Sequence, residues 1–441
     1  MSITFTQRFH PVGQGLFYSC SLSNNNNQAN IVFDCGSDKI DSVNREVTAY
    51  KKEVQEIDLL ILSHLHYDHV SGLDELLNGT TVKTVVLPYL NKFERILLQI
   101  DNGSVSQWYS SFLDNPYNWL SEKNIEKIVV FNGNGEQSND NIEEINLPDF
   151  DSYNNFEINM QLSVVSDTEK SKIEQDENIQ PNQKVSIYHA SGYIQIANLY
   201  FKFFNYQIDA TKLTNFKSAL NKLGITNTQS ALAILKDSKQ RKGLEEAYKQ
   251  IEKYDLNKTS LVAYQGLIFQ KNKDRIYFDM TRNCISNPIL LSMCCCDDCD
   301  CHGFIDWNFH RYILKNRYRY DCYCYCDNHI YCKNMLGTLL LGDIKLDYKK
   351  TTRKDELFKY YAKLLKTVQL VQLSHHGAEN GWNDKLIDEI SPSCLYIASH
   401  GLQNKYAHPH KDVLIKLAIN QRRYISVTEY NEYYSSFEIK F

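Results

Sequence analysis

Four side chains able to bind a metal ion crowd into one short segment of the sequence. The stretch LLILSHLHYDHVSGL, residues 59–73, contains His64, His66, Asp68 and His69. Imidazole nitrogens and a carboxylate are donors that zinc and other first-row divalent ions accept. The spacing His64-x-His66 is too tight for two ligands on one helix face, so it favours a loop after a strand. The alternative is an ordinary polar loop.

Short apolar runs alternate with amphipathic segments around this cluster. The runs at residues 58–64, 82–88 and 125–133 are typical of buried strands. Segments with helical spacing separate them, and this alternation predicts a layered α/β domain in which the first run delivers His64 at its C-terminal end. Residues 167–184, by contrast, are rich in charge, and their composition predicts a mobile segment.

Size and composition exclude some classes of function. The chain has 441 residues, enough for one large domain with insertions or for two or three domains. Apolar residues make up 43% and charged residues 23%, as in globular proteins with a substantial core. The net charge of −5 excludes a protein that coats long nucleic acid through charge alone, although a local basic cleft remains compatible with it.

Neither a targeting leader nor a membrane span is recognisable in the sequence. The opening segment MSITFTQRFHPVGQ lacks the apolar core of a leader peptide, and no run of about 18 apolar residues follows. We therefore expect a cytoplasmic protein without membrane association. Thiols stay reduced in that compartment, so the 13 cysteines do not predict a disulfide framework.

The segment SHLHYDHVSG resembles the H-x-H-x-D-H signature of the metallo-β-lactamase superfamily. Further motifs follow the order expected from that resemblance: VGQG at 12–15, VFDCGS at 32–37, LLLGDIKL at 339–346, QLSHHG at 372–377 and SHGLQNKYAHP at 399–409. The last two are similar to a narrower branch that includes the hydrolase domain of the bacterial DNA-uptake (competence) channel protein and phosphorylcholine-esterase-like enzymes. The resemblance implies an αββα sandwich with a two-metal site at one edge of its sheets.

Carried over position by position, the resemblance implies a dinuclear ligand set. It comprises His64 and His66 for the first ion, Asp68 and His69 for the second, Asp343 as a bridge and His375 to complete the second ion. We prefer His375 over His376 because it directly follows a predicted strand, which would leave His376 near substrate. Each ligand histidine needs an acceptor for its other ring nitrogen, and Asp34 is a candidate.

One departure from the family pattern concerns the first metal ion. Many members carry a further histidine between the first motif and Gly-Asp, but the corresponding segment here, NKTSLVAY at 257–264, has none. The third ligand of that ion is then His408, His376 or water, and the sequence leaves these alternatives open. His189 and His310 are poorer candidates, better explained as ordinary surface or core histidines.

The last motif offers groups that could contact substrate. Asn404 supplies an amide, Lys405 a cation, and His408 a metal ligand or an acid. We predict that Asn404 and Lys405 bind substrate and that Asp68, Asp343, His376 and His408 take part in catalysis. The alternative is a turn before a helix, with Pro409 near its first position.

Residues 284–332 hold ten of the 13 cysteines. Cys296-x-x-Cys299 has the spacing of a metal knuckle, and a second group of cysteines follows about 20 residues later, as in paired zinc-knuckle halves. We predict a structural zinc ion, since a closed thiolate site can fold a segment that has no core of its own. The candidate ligands are Cys296, Cys299, Cys301, Cys322, Cys324, Cys326 and Cys332, with His302 and His329 as further possibilities. Disulfides and an iron–sulfur cluster are the alternatives.

These observations divide the chain into five expected regions. Residues 1–149 and 333–441 form the two halves of the metallo-β-lactamase fold, 150–257 mixed α/β insertion elements, 258–283 sandwich strands, and 284–332 the cysteine-rich insert. The insertions lie between predicted elements of the sandwich. They are therefore places where a protein partner could bind.

The resemblance implies a metal-dependent hydrolase that uses two divalent ions, Zn²⁺ or Mn²⁺, and a metal-bound hydroxide. The branch points to a phosphodiesterase or nuclease acting on nucleic acid or a nucleotide. An alternative class is a partner-gated sensor or assembly subunit of a multi-protein bacterial defence system. Thioester or lactone hydrolysis is an alternative chemistry, because fold analogy alone does not determine the substrate.

Overall fold

The computed structural model describes residues 2–102, 106–133, 155–180, 183–206, 218, 220–227, 230, 233–234, 259–268, 275–279, 336–347 and 355–440. The cysteine-rich insert at 284–332, with every zinc candidate, and His310 lie outside the described residues.

Sixteen strands account for the sheet structure of the described residues. They are β1 (Ser2–Phe9), β2 (Phe17–Ser23), β3 (Gln28–Cys35), β4 (Glu56–Ile61), β5 (Thr81–Pro88), β6 (Ile125–Phe131), β7 (Ile158–Val164), β8 (Val185–Ile196), β9 (Leu199–Phe204), β10 (Val262–Leu267), β11 (Arg275–Asp279), β12 (Gly337–Leu340), β13 (Val368–Gln372), β14 (Leu395–Ser399), β15 (Arg423–Val427) and β16 (Tyr433–Lys440).

Helices flank these strands. They are α1 (Ile40–Glu53), α2 (Tyr67–Val70), α3 (Leu73–Leu77), α4 (Lys92–Asn102), α5 (Gln107–Asp114), α6 (Pro116–Ser121), α7 (Asp167–Asp176), α8 (Glu356–Leu365), α9 (Lys385–Asp388) and α10 (Lys411–Ile419). Short 3-10 turns lie at Ser374–Gly377 and Glu379–Gly381. Among the described residues, α1 is the longest helix at 14 residues, and none has the length and hydropathy to cross a bilayer.

The strands are hydrogen-bonded in the order β11-β16-β1-β2-β3-β4-β5-β6-β8-β9-β10-β12-β13-β14-β15, with β7 paired to β8. Pairing is parallel from β3 to β6 and from β12 to β15, and antiparallel around β1, β2 and β16, so the sheet is mixed. The long strand β8 joins the two halves. Its first part pairs with β6 in parallel and its last part pairs with β9 in antiparallel fashion.

Three hydrophobic clusters show how these halves stack. One cluster contains side chains from both halves of the strand order, including Leu59 and Ile61 from the first half and Leu340 and Leu370 from the second. The remaining two clusters pack the outer faces of the strands against α1 and α3–α6, and against α8–α10. The layers therefore follow the order helix, sheet, sheet, helix, as the family resemblance implies.

Strand β4 illustrates why the apolar runs become central strands. Leu59 and Ile61 face the core between the two sheets, whereas Leu60 and Leu62 face the helical layer. Side chains alternate across a strand, so a strand covered on both faces must be apolar throughout. This burial places the end of β4, and with it the histidine cluster, at a fixed edge of the sheet.

Two regions differ from expectation. Strands β8 and β9 lie within residues 150–257, expected as insertion elements, yet they connect the two sheets.

The prediction of mobility for residues 167–184 is wrong for the described part of that segment. Helix α7 begins with a capping box between Ser166 and Glu169. Glu177 then pairs with Arg95 at 2.7 Å, with both side chains buried. One charged residue of this segment, Glu177, is therefore part of a buried ion pair, which composition alone could not reveal.

Candidate metal centre

Loops that follow four strands converge at one edge of the sandwich. Asp34 is the penultimate residue of β3, His64 follows β4, Asp343 follows β12, and the pair His375–His376 follows β13. Strands β3 and β4 are parallel neighbours, as are β12 and β13, so their carboxyl ends share an edge. Residues that are some 280 positions apart in the chain, such as His64 and Asp343, thereby come within 3.6 Å of each other.

Four side chains at this edge offer ligand atoms that all lie within 4.8 Å of one another: Asp68, His69, Asp343 and His376. His69 Nε2 lies 3.1 Å from Asp343 Oδ1, and His376 Nε2 lies 3.1 Å from Asp68 Oδ2. His64 Nε2 approaches Asp343 Oδ2 at 3.6 Å. Asp343 therefore lies between the histidines of the first motif and the histidine pair after β13.

A second group within 4.8 Å comprises Asp34, His64 and His69. Here the carboxylate already accepts hydrogen bonds from the Ser63 N–H at 2.6 Å, the Ser63 hydroxyl at 2.5 Å and His69 Nδ1 at 2.8 Å. Because its oxygens are occupied, this group is better described as a hydrogen-bonded support than as a second metal site.

The Asp34 network fixes the protons of two histidines. His69 Nδ1 donates to Asp34. Since the Ser63 hydroxyl donates its only proton to Asp34, its oxygen must accept from His64 Nδ1 at 2.8 Å. When neutral, both rings then carry their proton on Nδ1 and present an Nε2 lone pair towards Asp343. Ser63 was not singled out from the sequence, where it is only the residue before His64.

The histidine pair is oriented in the same manner. His376 Nδ1 donates to the Ser399 carbonyl at 2.8 Å, and His375 Nδ1 donates to Asn380 Oδ1 at 3.2 Å. Both residues adopt left-handed backbone conformations, with φ of 50° and 58°. Such conformations cost about 1 to 3 kcal/mol for residues other than glycine and cluster at functional sites. The turn brings both rings to the side of Asp343.

Three buried polar atoms indicate that the centre suits a cation. His64 Nε2, His69 Nε2 and Asp343 Oδ1 are buried, and none makes a hydrogen bond of good geometry within the described part of the chain, although His69 Nε2 and Asp343 Oδ1 face each other at 3.1 Å. Leaving such atoms unsatisfied costs about 1 to 3 kcal/mol each. Two imidazole lone pairs and a carboxylate facing one another are the donor set that a borderline divalent ion accepts. The residues therefore fit a metal ion.

The electrostatics of the centre point in the same direction. Burial lowers the pKa of His64 well below its usual value, so this ring is neutral. Burial alone would raise the pKa of Asp343, but His69 and His376 hold it well below the usual range. Burial would lower the pKa of His69, yet Asp343, Asp68 and Asp34 together raise it. A proton and a metal ion therefore compete for Nε2 of His69.

The structure places the remaining predicted ligands as follows. The His66 ring lies 4.8 Å from that of His64. His375 Nε2 is 3.9 Å from Asp343 Oδ2 and is partly exposed, whereas His376 is buried and belongs to the four-residue group. The geometry thus favours His376 over the preferred His375. His189 lies on β8, where its Nδ1 donates to the Asn132 carbonyl, outside both groups.

Ser260 lies in the segment that lacks the family's extra histidine. It is fully buried, and its hydroxyl has no hydrogen-bond partner among the described residues. The next residue, Leu261, donates its N–H to the Ser63 carbonyl at 2.6 Å. The segment therefore approaches the His64 loop with a small hydroxyl where a ring would be expected.

The loop at 399–409 holds its own shape through Asn404. The Asn404 side chain accepts from the His408 N–H at 2.8 Å and donates to the carbonyls of Gly401 and His408, each at 2.7 Å. Its amide is thus occupied within the loop, although substrate contact was predicted. Lys405 is exposed, with its ammonium 4.9 Å from the Tyr406 ring. The His408 ring lies 5.2 Å from His375 and 6.0 Å from His376.

Glycine allows the first motif to pack against β3. A Cβ at Gly36 would lie 2.4 Å from the carbonyl carbon of His69, a distance that no side chain can occupy. The loop after β3 can therefore pass directly beneath α2 only as glycine. This contact holds Asp34 within reach of the two histidines that it orients.

Residues 14–114 match the family described as Metallo-beta-lactamase superfamily. The match includes Asp34 and the complete HLHYDH segment, so this part of the chain is similar to the metallo-β-lactamase superfamily, and its side chains could hold a metal ion. Among solved structures, the chain is similar to MEM-A1, a subclass B3 metallo-beta-lactamase isolated from a soil metagenome library. That similarity has 10% identity, covers 56% of this chain and 96% of the other, and has a TM-score of 0.17, too low to support an argument. No curated protein matches the chain.

Proposed function

We propose that this protein is a metal-dependent phosphodiesterase acting on nucleic acid or a nucleotide. The observation that carries the proposal is the convergence of His64, His69, Asp68 and His376 on the buried carboxylate of Asp343. Nitrogen and oxygen donors of this kind suit Zn²⁺ or Mn²⁺. When bound, two such ions would supply Lewis acidity and an activated water at neutral pH.

The chain's own residues would share the work as follows. His64 and His66 would hold the first ion, Asp68, His69 and His376 the second, and Asp343 would lie between them. Asp34 and Ser63 would keep the two buried histidines in the tautomer that offers Nε2. Burial of this cluster strengthens electrostatic stabilisation of the charge that develops on a phosphoryl group.

The choice of a phosphodiester rests on the motif resemblance and on one surface feature. QLSHHG and SHGLQNKYAHP resemble the branch whose members handle DNA or phosphorylcholine esters. On the second of these loops, Lys405 exposes an ammonium beside Tyr406. A cation next to an aromatic ring suits a phosphate followed by a base. The net charge of −5 favours a short substrate over long duplex DNA.

An activity screen tests this proposal. Protein loaded with Mn²⁺ or Zn²⁺ would be assayed against single-stranded DNA, duplex DNA, RNA, bis-aryl phosphodiesters, cyclic dinucleotides and thioesters. Asp343→Asn protein, purified in parallel, reports any contaminating nuclease. Cleavage of a phosphodiester by the parent alone supports the proposal. Turnover of thioesters without phosphodiester cleavage would replace the proposal with that chemistry.

A second candidate function is a partner-gated subunit of a multi-protein defence system. It is favoured by the exposed side chains of Leu402 and Tyr406, which are 60% and 47% exposed on the same loop as His408. A partner that covers them would also cover the edge of the centre. Pull-down from the native host, followed by assay of the free and bound forms, separates the candidates. Inactivity of free protein and activity of the complex would favour gating.

A further inference from the structure

The side-chain amide of Gln14, in the loop between β1 and β2, has a defined orientation. Gln14 Oε1 accepts a hydrogen bond from the Gly401 N–H at 3.3 Å. A backbone N–H can only donate, so the oxygen of the amide must face Gly401. The nitrogen Nε2 of Gln14 then faces His408 Nδ1, also at 3.3 Å. An amide nitrogen can only donate, and therefore His408 Nδ1 accepts.

This contact decides where the proton of His408 lies. With Nδ1 accepting from Gln14, the neutral ring carries its proton on Nε2. The backbone of His408 is held at both ends by Asn404, and its ring lies beside His375 and His376. Among the described residues, no acceptor bonds to His408 Nε2. The N–H at Nε2 is thus available at the edge of the candidate centre.

We infer that His408 is a neutral hydrogen-bond donor to substrate, acting through Nε2–H, and that Gln14 is the positioning residue that sets this tautomer. The inference deepens the proposed phosphodiester hydrolysis, on which the identity of the contacted oxygen rests. This role replaces the two that the sequence suggested for His408, a metal ligand or an acid. A metal ligand needs a lone pair, and neither nitrogen offers one, while a proton-donating acid would need the doubly protonated ring.

The role of such a donor follows from the charge that develops during hydrolysis. A fixed N–H aimed at a phosphoryl or leaving oxygen stabilises negative charge more in the transition state than in the ground state. Because the ring stays neutral, it adds no positive charge beside His375 and His376. Because His408 is not a metal ligand in this assignment, replacing it should leave the number of ligands at the centre unchanged.

Nuclear magnetic resonance of the apoprotein tests the tautomer without any substrate or metal. In protein labelled with ¹⁵N-histidine, long-range proton–nitrogen correlations separate a protonated from an unprotonated ring nitrogen, and loss of signals in His408→Gln assigns the ring. We expect the proton on Nε2. In Gln14→Glu, one carboxylate oxygen can still accept from Gly401, but the other can only accept from His408, so the proton should move to Nδ1. A proton on Nδ1 in the parent, or an unchanged ring in Gln14→Glu, would overturn the assignment.

Metal content and kinetics test the role. His408→Leu and His408→Gln should both bind as much Mn²⁺ or Zn²⁺ as the parent by elemental analysis. With the best phosphodiester, kcat should fall by about 10² to 10³-fold in His408→Leu, as for loss of one preorganised donor. His408→Gln, whose amide can donate, should recover part of that loss, with KM changing less than kcat.

Controls keep the outcomes separate. His189→Gln, on β8 and outside both ligand groups, should match the parent in metal content and kcat. Loss of a metal ion in both His408 variants would show that His408 is a ligand, and an unchanged kcat in His408→Leu would remove the donor role. If the parent cleaves no phosphodiester, the proposed function and the substrate contact fail together, while the spectra still decide the tautomer.

Discussion

Asp34 Oδ2 accepts a hydrogen bond from His69 Nδ1 at 2.8 Å, and both side chains are fully buried. The same oxygen accepts from the Ser63 hydroxyl, which in turn accepts from His64. One carboxylate therefore sets the tautomers of two candidate ligands that come from one motif. Asp34 itself stands one strand away, at the end of β3.

Asp34→Asn should weaken metal binding. Because Oδ1 must still accept from the Ser63 N–H, the new amide nitrogen would take the position of Oδ2 and could no longer accept from His69. We expect about 10 to 100-fold lower affinity, measured by competition with a chromophoric chelator. Ser63→Ala, which removes the hydroxyl between Asp34 and His64 but leaves the bond from His69 to Asp34, should lose less. Parent-like affinity in Asp34→Asn would contradict this role.

Asp343→Asn should abolish hydrolysis while the protein stays folded. An amide cannot supply the negative charge that lies between the two groups of histidines, and we expect kcat to fall by about 10²-fold or more. Circular dichroism checks the fold and elemental analysis the metal content. Asp347→Asn, on the same loop but outside both ligand groups, is the matched control. Full activity of Asp343→Asn would show that the bridge is misassigned.

The two neighbouring histidines should differ in their effect on metal content. His376→Ala should lose about one ion per chain, because Nε2 of His376 lies with Asp68 and Asp343 in the four-residue group. His375→Ala should lose less, because His375 is partly exposed and lies outside that group, although the Nε2 atoms of both rings are 3.9 Å from Asp343 Oδ2. Elemental analysis after dialysis measures both. The opposite order would restore His375 as the ligand.

His10 should make the fold sensitive to acid. Its side chain is buried against Phe17, and burial, only partly opposed by Glu46, lowers its pKa to about 4. The unfolded chain takes up a proton below about pH 6.5, but the folded chain does so only near pH 4, so stability falls as pH drops through this window.

Between pH 7 and pH 5 we expect the free energy of unfolding to fall by about 2 kcal/mol, because each unit of pKa difference contributes about 1.4 kcal/mol. Urea unfolding at the two pH values measures it. His10→Gln cannot titrate, so the drop in unfolding free energy between pH 7 and pH 5 should be smaller by that amount. An equal drop in parent and variant would show that His10 is protonated in the folded state.

The cysteine-rich insert, outside the described residues, remains a prediction with its own test. Replacing Cys322, Cys324 and Cys326 together with Ser should release a zinc ion, because thiolates contribute the binding free energy that folds such a segment. Ions held by the histidines of the centre should stay. Cys284→Ser, which alters a cysteine outside the candidate set, should retain all zinc. Disulfides found by thiol counting in denatured, non-reduced protein would contradict the zinc site.

The sequence by itself determined the local parts of this protein. Apolar runs predict β4, β5 and β6, because a strand covered on both faces must be apolar on both. The HLHYDH segment predicts a metal-binding loop, because ligand chemistry depends on residue type and close spacing. Both kinds of information are contained in a few consecutive residues.

Only the tertiary structure decided which distant groups meet. The choice of His376 over His375 as the candidate ligand depends on a left-handed turn that the neighbouring residues do not predict. The contact of Gln14 with His408 joins positions that are 394 residues apart. The charged segment after Ser166 is ordered by a buried partner, Arg95, on another helix. Hydrogen bonds and ion pairs are short-ranged, so their partners are set by how the layers stack.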